Sequence, residues 1–358
     1  MATLHQSAQT ARQLALTLLV GGLIFAIGKV VWDIGWQVYR EKNPIPLAAP
    51  ETEFGRLPNA NIGQGIIPEI PFRYTLDTID GRLPQGTPSA VVFHLSLPPT
   101  GFLTQDRAQV QAGEWGFTTN PERVGLTSYK WKDDAAKAEI TIDGLTGSFA
   151  YKQNVFADPT EIARSVPTAE EVRAFVSTLL SRTTRLGDTA KPLLTEYLDM
   201  EKSSLTFVRS DGSEWSDTIL LSQAQGLRVT VPYRAIGGVS VLPVDPKKPL
   251  VSVVVVAGRS GMEAAFVLYT DLAIDEEDAS TYPLKTPAQA WRELNGGRAI
   301  LVRTPTNGVA EVRIENIFLG YVVSGQKQEF LQPLYVFTGE DFQAYLPAIP
   351  EEWLLPRE

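Results

Sequence analysis

The sequence predicts an α+β body dominated by antiparallel sheet, carried behind a single N-terminal transmembrane helix. Three observations point there. Leu14 to Gly28 is an uncharged apolar run, and Val30 to Trp32 extend it past Lys29. From Phe72 onward, apolar and polar residues alternate in short runs separated by Asp-Gly and Thr-Gly turns, the period of half-buried strands. Two helical patterns interrupt the strands, each opened by a threonine cap.

A helix needs about 20 mostly apolar residues to cross the hydrocarbon core. The run through Trp32 suffices if Lys29 reaches the headgroups. Trp32, Trp36 and Tyr39 share one helical face, where amphipathic rings suit the membrane–water interface. The expected anchor is residues 14–39, behind a cytoplasmic tail 1–13. Its marker residues are Leu14, Leu19, Leu23, Phe25, Lys29, Trp32, Trp36 and Tyr39. A signal peptide cut after Gly28, with Arg12 in its n-region, and a buried core helix, commoner for shorter runs, are the competing readings. The basic residues flanking the run decide orientation weakly. The expectation is a body outside the cytoplasmic membrane.

Residues 43–71 hold six prolines and read as a semi-extended tether, with 53–58 apolar enough to dock on the body. Region 72–160 reads as a β-rich domain. Its strands are Phe72–Leu76, Ala90–Leu97, Tyr129–Lys132, Glu139–Ile142 and Ser148–Lys152, with a short helix at Thr104–Ala112. Region 165–349 reads as an α+β domain of two units, about 165–283 and 284–349. In the first, Thr168 and Glu171 form a capping box, and Val172, Phe175, Val176 and Leu179 have core spacing. A second helix is expected over 191–200. Strands follow at 205–209, 218–221, 227–234, 250–257 and 264–274. The run Leu250–Ala257 is apolar on both faces and so central. In the second unit, Thr286 caps a helix with Pro287 at its first position. Strands at 299–303, 309–323, 329–337 and 342–349 complete a meander. A helix followed by a meander therefore occurs twice.

Composition narrows function. Residues 1–42 carry four Lys/Arg and two Asp/Glu, a net of +2 against −9 for the whole chain. The rest is left at −11, which argues against nucleic acid and against anionic lipid. There is no cysteine, so disulfides and thiolate chemistry are excluded. His5 and His94 are the two histidines, and a His-rich metal site or a Ser–His pair cannot be built in the body. Ser324 and Lys327 match S-x-x-K, but in a hairpin turn rather than opening a helix. The acidic run Asp271–Asp278 lacks the EF-hand spacing and reads as a solvated loop. No catalytic, cofactor or metal residue is assigned. Trp291, Tyr321 and Tyr335 are the candidate partner surface, since aromatics anchor interfaces.

The last part of the chain resembles a known family. Thr286–Gly297 is similar to the helix opening the final module of YycH/YycI-type proteins, which are related to PepSY modules. Val312–Tyr321 resembles their long strand, and Leu331–Phe337 their L-x-P strand. These are single-pass, extracytoplasmic regulators of a cell-wall sensor kinase. The resemblance implies PepSY/YycI-like helix-plus-meander modules. It also implies a non-enzymatic envelope protein that binds a membrane-protein partner, with no small-molecule substrate. A structural subunit of a secretion or pilus-type assembly and an acid-residue envelope hydrolase are the alternatives.

Overall fold

The computed structural model describes residues 49–356 apart from 64, 69–70, 96, 98–100, 102, 156–165, 187, 194–195, 213, 259–260, 273, 306–310 and 326. The anchor residues Leu14, Leu19, Leu23, Phe25, Lys29, Trp32, Trp36 and Tyr39 lie outside them. No helix among the described residues is long and apolar enough to cross a membrane. The chain divides at Ala49, and Pro50–Glu358 forms one unit.

Most of this unit is antiparallel sheet with three helices. In chain order the first strands are β1 (Arg73–Leu76), β2 (Ser89–Leu95), β3 (Glu122–Arg123), β4 (Ser128–Asp133), β5 (Ala138–Asp143) and β6 (Phe149–Gln153). The middle holds β7 (Thr184–Arg185), β8 (Asp188–Pro192), β9 (Ser204–Ser210), β10 (Trp215–Asp217), β11 (Gly226–Thr230), β12 (Ser240–Pro243), β13 (Val251–Ala257) and β14 (Met262–Tyr269). The last are β15 (Ile274–Pro283), β16 (Ile300–Arg303), β17 (Glu311–Ile314), β18 (Asn316–Val323), β19 (Phe330–Leu331), β20 (Pro333–Gly339) and β21 (Phe342–Pro347). The helices are α1 (Leu103–Glu114), α2 (Ala169–Arg182) and α3 (Pro287–Asn295).

A nine-stranded sheet runs β10-β9-β11-β13-β14-β6-β5-β4-β3. The expected division near residue 160 does not separate two domains, because β6 pairs with β14 across it. The cause lies in β13 and β14. Val251 to Val256 are buried throughout, so β13 needs neighbours on both edges and layers on both faces. Helices α1 and α2 cover one face, where Ala108, Ala112, Val172, Val176 and Leu180 meet Trp131, Ile140, Val229, Val253 and Val267. The Thr168–Glu171 capping box of α2 forms as expected. The helix expected over 191–200 does not form. Pro192 ends the β7–β8 hairpin, the Leu193 amide donates to the Thr183 carbonyl, and Leu198 bridges to Tyr233.

The second core belongs to a five-stranded sheet, β12-β18-β20-β21-β16. Ala290 and Leu294 of α3 pack with Tyr335, Phe337, Phe342 and Ala344. The long strand expected over 309–323 breaks at Glu315. Its first part, β17, pairs parallel with β1, while β18 joins the five-stranded sheet. A side chain at Gly339 would put its Cβ 2.0 Å from the Arg313 carbonyl, so glycine is required where β20 runs beneath β17. The two helices thus open different structures: α2 feeds a sheet whose other strands precede it, and α3 packs on its own meander.

The described residues of 50–66 are no free tether, while 43–48, 64 and 69–70 of the expected tether lie outside the described residues. Leu57 is 0% and Ile62 2% exposed. The amides of Glu51, Thr52 and Glu53 donate to Thr281 and Ser280 on β15. Leu57 bridges Leu354 in parallel, and the Ile66 amide donates to the Leu301 carbonyl. An extended proline-rich segment has backbone donors and acceptors that burial forces it to pair, and apolar Leu57 and Ile62 drive that burial. The acidic run also differs from the expected loop. Strand β15 begins inside it, pairing with β2 through a bulge between Ile274 and Ala279.

Candidate functional site

Trp291, Tyr321 and Tyr335 do not make a recognition groove. Tyr321 is 1% and Tyr335 2% exposed. Their hydroxyls donate to the carbonyls of Val91 and Lys285 at 2.7 Å, and burial pushes both phenols up, Tyr335 to about 12. Trp291 packs partly buried against the second core. Helix-on-sheet packing accounts for all three.

The site lies elsewhere, on the face of the nine-stranded sheet opposite α1 and α2. Register partners place one transverse row there: Lys132, Glu139, Lys152, Phe266, Val254, Arg228 and Thr206, on β4, β5, β6, β14, β13, β11 and β9. Six strand spacings of about 4.8 Å make the row roughly 29 Å long. Half-buried Trp215 and Phe266 form the floor over buried Val208, Val254, Val256 and Ala265. Gly226 belongs to this floor. Any Cβ there would lie 2.6 Å from the Val255 carbonyl, so the floor stays bare at that point.

Two hairpin tips rise beyond the same side of the row, one at each of its ends. The β4–β5 tip is built by Asp133, whose carboxylate accepts from the amides of Ala135 and Ala136, and by Lys137 at φ +52°. The β9–β10 tip is built by Asp211, which accepts from the Glu214 amide, and by Gly212 at φ +99°. Between the tips and the row lies a cleft of about 590 Å³, lined by Lys132, Lys152, Glu139, Glu214, Trp215 and Phe266 among others. That is an ordinary volume for a ligand pocket.

Its charges fall into two groups. Glu139 holds Lys130 at 2.6 Å, Lys132 faces Glu122 at 3.9 Å, and Arg228 pairs with Asp217 while donating to the Trp215 carbonyl at 2.8 Å. Lys152, Lys137, Asp134 and Glu214 also line the cleft, and their side chains have no hydrogen-bond or ion-pair partner among the described residues. The arrangement can recognise an elongated ligand with apolar and charged groups.

A second cavity, about 660 Å³, sits between residues 56–59, the end of α3 and the C-terminal tail. Its buried Lys285 and Glu293 pair at 2.9 Å, and Arg298 bridges Glu293 and Glu351. The cations there complement the negative end of α3, and the network closes on itself. His94, expected on a sheet face, pairs with Asp278 at 2.6 Å beside Phe54 and Phe330. No group of three or more His, Cys, Asp or Glu among the described residues is placed to hold a metal ion.

No protein-family model matches the chain, and no curated protein matches it. Among solved structures it is similar to an uncharacterized protein from Eubacterium rectale ATCC 33656, at 15% identity and a TM-score of 0.36. The likeness covers 72% of this chain and 82% of that one. The YycH/YycI resemblance therefore rests on the residues quoted above.

Proposed function

We propose that the protein is a non-enzymatic, membrane-anchored envelope protein that binds a partner protein at the outer face of the cytoplasmic membrane. Its docking face is the open side of the nine-stranded sheet, and the occupant is an extended segment of that partner. Residues 14–39 are the anchor in this reading. The resemblance to YycH/YycI-type regulators suggests a partner in a sensor-kinase or cell-wall system.

One observation carries the docking face: half-buried Trp215 and Phe266 line the cleft on the face opposite α1 and α2, lying over buried Val254 and Val256. Aromatic anchors ringed by polar groups are where binding energy concentrates. The test is photo-crosslinking of the full chain in native membranes, with the reactive side chain at Phe266, at Trp215 or at exposed Ile79 as control. A discrete adduct with the same protein from both cleft positions, absent at Ile79, is the expected result. Adducts at all three or at none defeat the reading.

A further inference from the structure

On the face opposite the cleft, we infer that α1 is a releasable cover. It lifts from β4 and β5 as one unit while α2 and the sheet stay folded, and it uncovers Trp131 and Ile140, both fully buried beneath it.

The two helices share that face and are held to it differently. Helix α2 buries Val172, Val176 and Leu180 and opens with a complete capping box. Helix α1 buries Thr104, Ala108, Gln111 and Ala112, so its inner side offers the sheet little more than methyl groups and an amide. Its larger apolar side chains point the other way: Leu103 is 66% and Val110 58% exposed. Apolar burial is what fixes a helix on a sheet, and α1 contributes little of it from its own side.

Gln111 makes the docked position costly. It is buried, and neither its amide nitrogen nor its amide oxygen has a hydrogen-bond partner among the described residues. Docking strips water from both atoms and puts nothing in its place, whereas release returns them to solvent. Gly113 weakens the last turn. Nothing lies within 4 Å of a Cβ built there, so packing does not require glycine, and glycine inside a helix favours the unfolded segment.

The ties that hold α1 down are polar. The Trp131 indole donates to the Gln109 side-chain oxygen at 2.9 Å. The Glu114 carboxylate accepts from the Thr184 amide at 2.9 Å and from the Thr184 hydroxyl, just past the end of α2. Water can replace each of these at small net cost. Beyond the helix, Trp115 packs on Tyr151 at 4.8 Å and Phe117 is buried, which anchors the chain where α1 would turn away. Local opening of this kind draws on the least stable cooperative unit of a fold, and on this face that unit is α1.

The test is hydrogen exchange read by mass spectrometry on the full chain in detergent. It compares amides 107–114 of α1 with 173–182 of α2, all beyond the first helical turn. Exchange at least about tenfold faster over 107–114 is expected. Gln111→Met keeps an unbranched side chain and removes the unpaired amide, so it should slow exchange over 107–114 about tenfold and leave 173–182 unchanged. Gly113→Ala should slow the same amides about fourfold, and Glu114→Ala should speed them by cutting the tie to Thr184. Equal protection of the two helices overturns the inference. So does Gln111→Met exchanging as fast as the parent, or slowing both helices alike, which would report global stability instead. A variant that fails to fold is recognised by lost protection over 173–182. Gly113→Ala, whose new methyl group meets nothing, then decides: no slowing confined to 107–114 overturns the inference.

Discussion

The two faces of the nine-stranded sheet are built from the same strands and meet opposite fates. On one, Trp131, Ile140, Val229 and Val253 are fully buried under α1 and α2. On the other, neighbours one residue away, Lys132, Glu139, Arg228 and Val254, form the row beneath the cleft. Period-two alternation separates core from surface by a single step in sequence. In β13 the alternation fails, because Val254 and Val256 are apolar on the side that no helix covers and are buried there by Val155, Trp215 and Phe266. There neighbouring side chains of the sheet and its loops, rather than a helix, close over the strand.

The comparison can be broken in stages. Alkali has the largest expected effect. Tyr151 and Tyr335 are pushed up to about 12 by burial, and burial also raises Tyr321 and Tyr345. Unfolded phenols ionise near 10, so the raised values stabilise the fold below pH 10. That stability is lost as pH climbs through 10 to 12. Near-UV absorbance of tyrosinate and circular dichroism should change together there, whereas early ionisation without unfolding would contradict the burial. Trp131→Ala comes next. It empties the packed face and leaves Gln109 without its indole donor, for a loss of about 3–5 kcal/mol in denaturant titration. Leu57→Ala asks whether residues 50–66 are structural. A loss of about 2–4 kcal/mol is expected, and a free tether would lose nothing. Thr168→Ala removes the cap of α2 and should cost about 1 kcal/mol, shared between the helix and the face it covers. Phe266→Ala on the open face should change stability least, by about 1 kcal/mol or less, while abolishing the crosslinks from Trp215. A large loss of stability instead would make that face core.

Much of this fold was legible in short windows. Thr168 with Glu171, Thr286 with Pro287, and the valine run of β13 each carry their meaning within a few residues, and the structure places them as read. The readings that failed needed distant information. Lys191–Met200 has helical spacing, yet Leu193 and Leu198 are satisfied by Thr183 and Tyr233. Asp275–Asp278 hides the start of β15, whose bulge lets charged residues leave the ladder before Ala279 resumes it. Tyr321 and Tyr335 carry no local sign of burial, which comes from carbonyl partners some 230 and 50 positions away. The cleft was invisible for the same reason. Lys132, Lys152, Arg228 and Phe266 come from four separate strands, and only register aligns them. The local hints were Arg228, a cation alternating with Leu227 and Val229, and Lys130 and Lys132, alternating with Tyr129 and Trp131.

The stitching of Leu57 to Leu354 has a mechanical corollary. Tension applied at Pro50 is shared by rungs on β15 and on the C-terminal tail, loaded together along the chain direction rather than unzipped one by one. Force from that end would thus be borne by the smaller sheets, leaving the cleft's geometry unloaded.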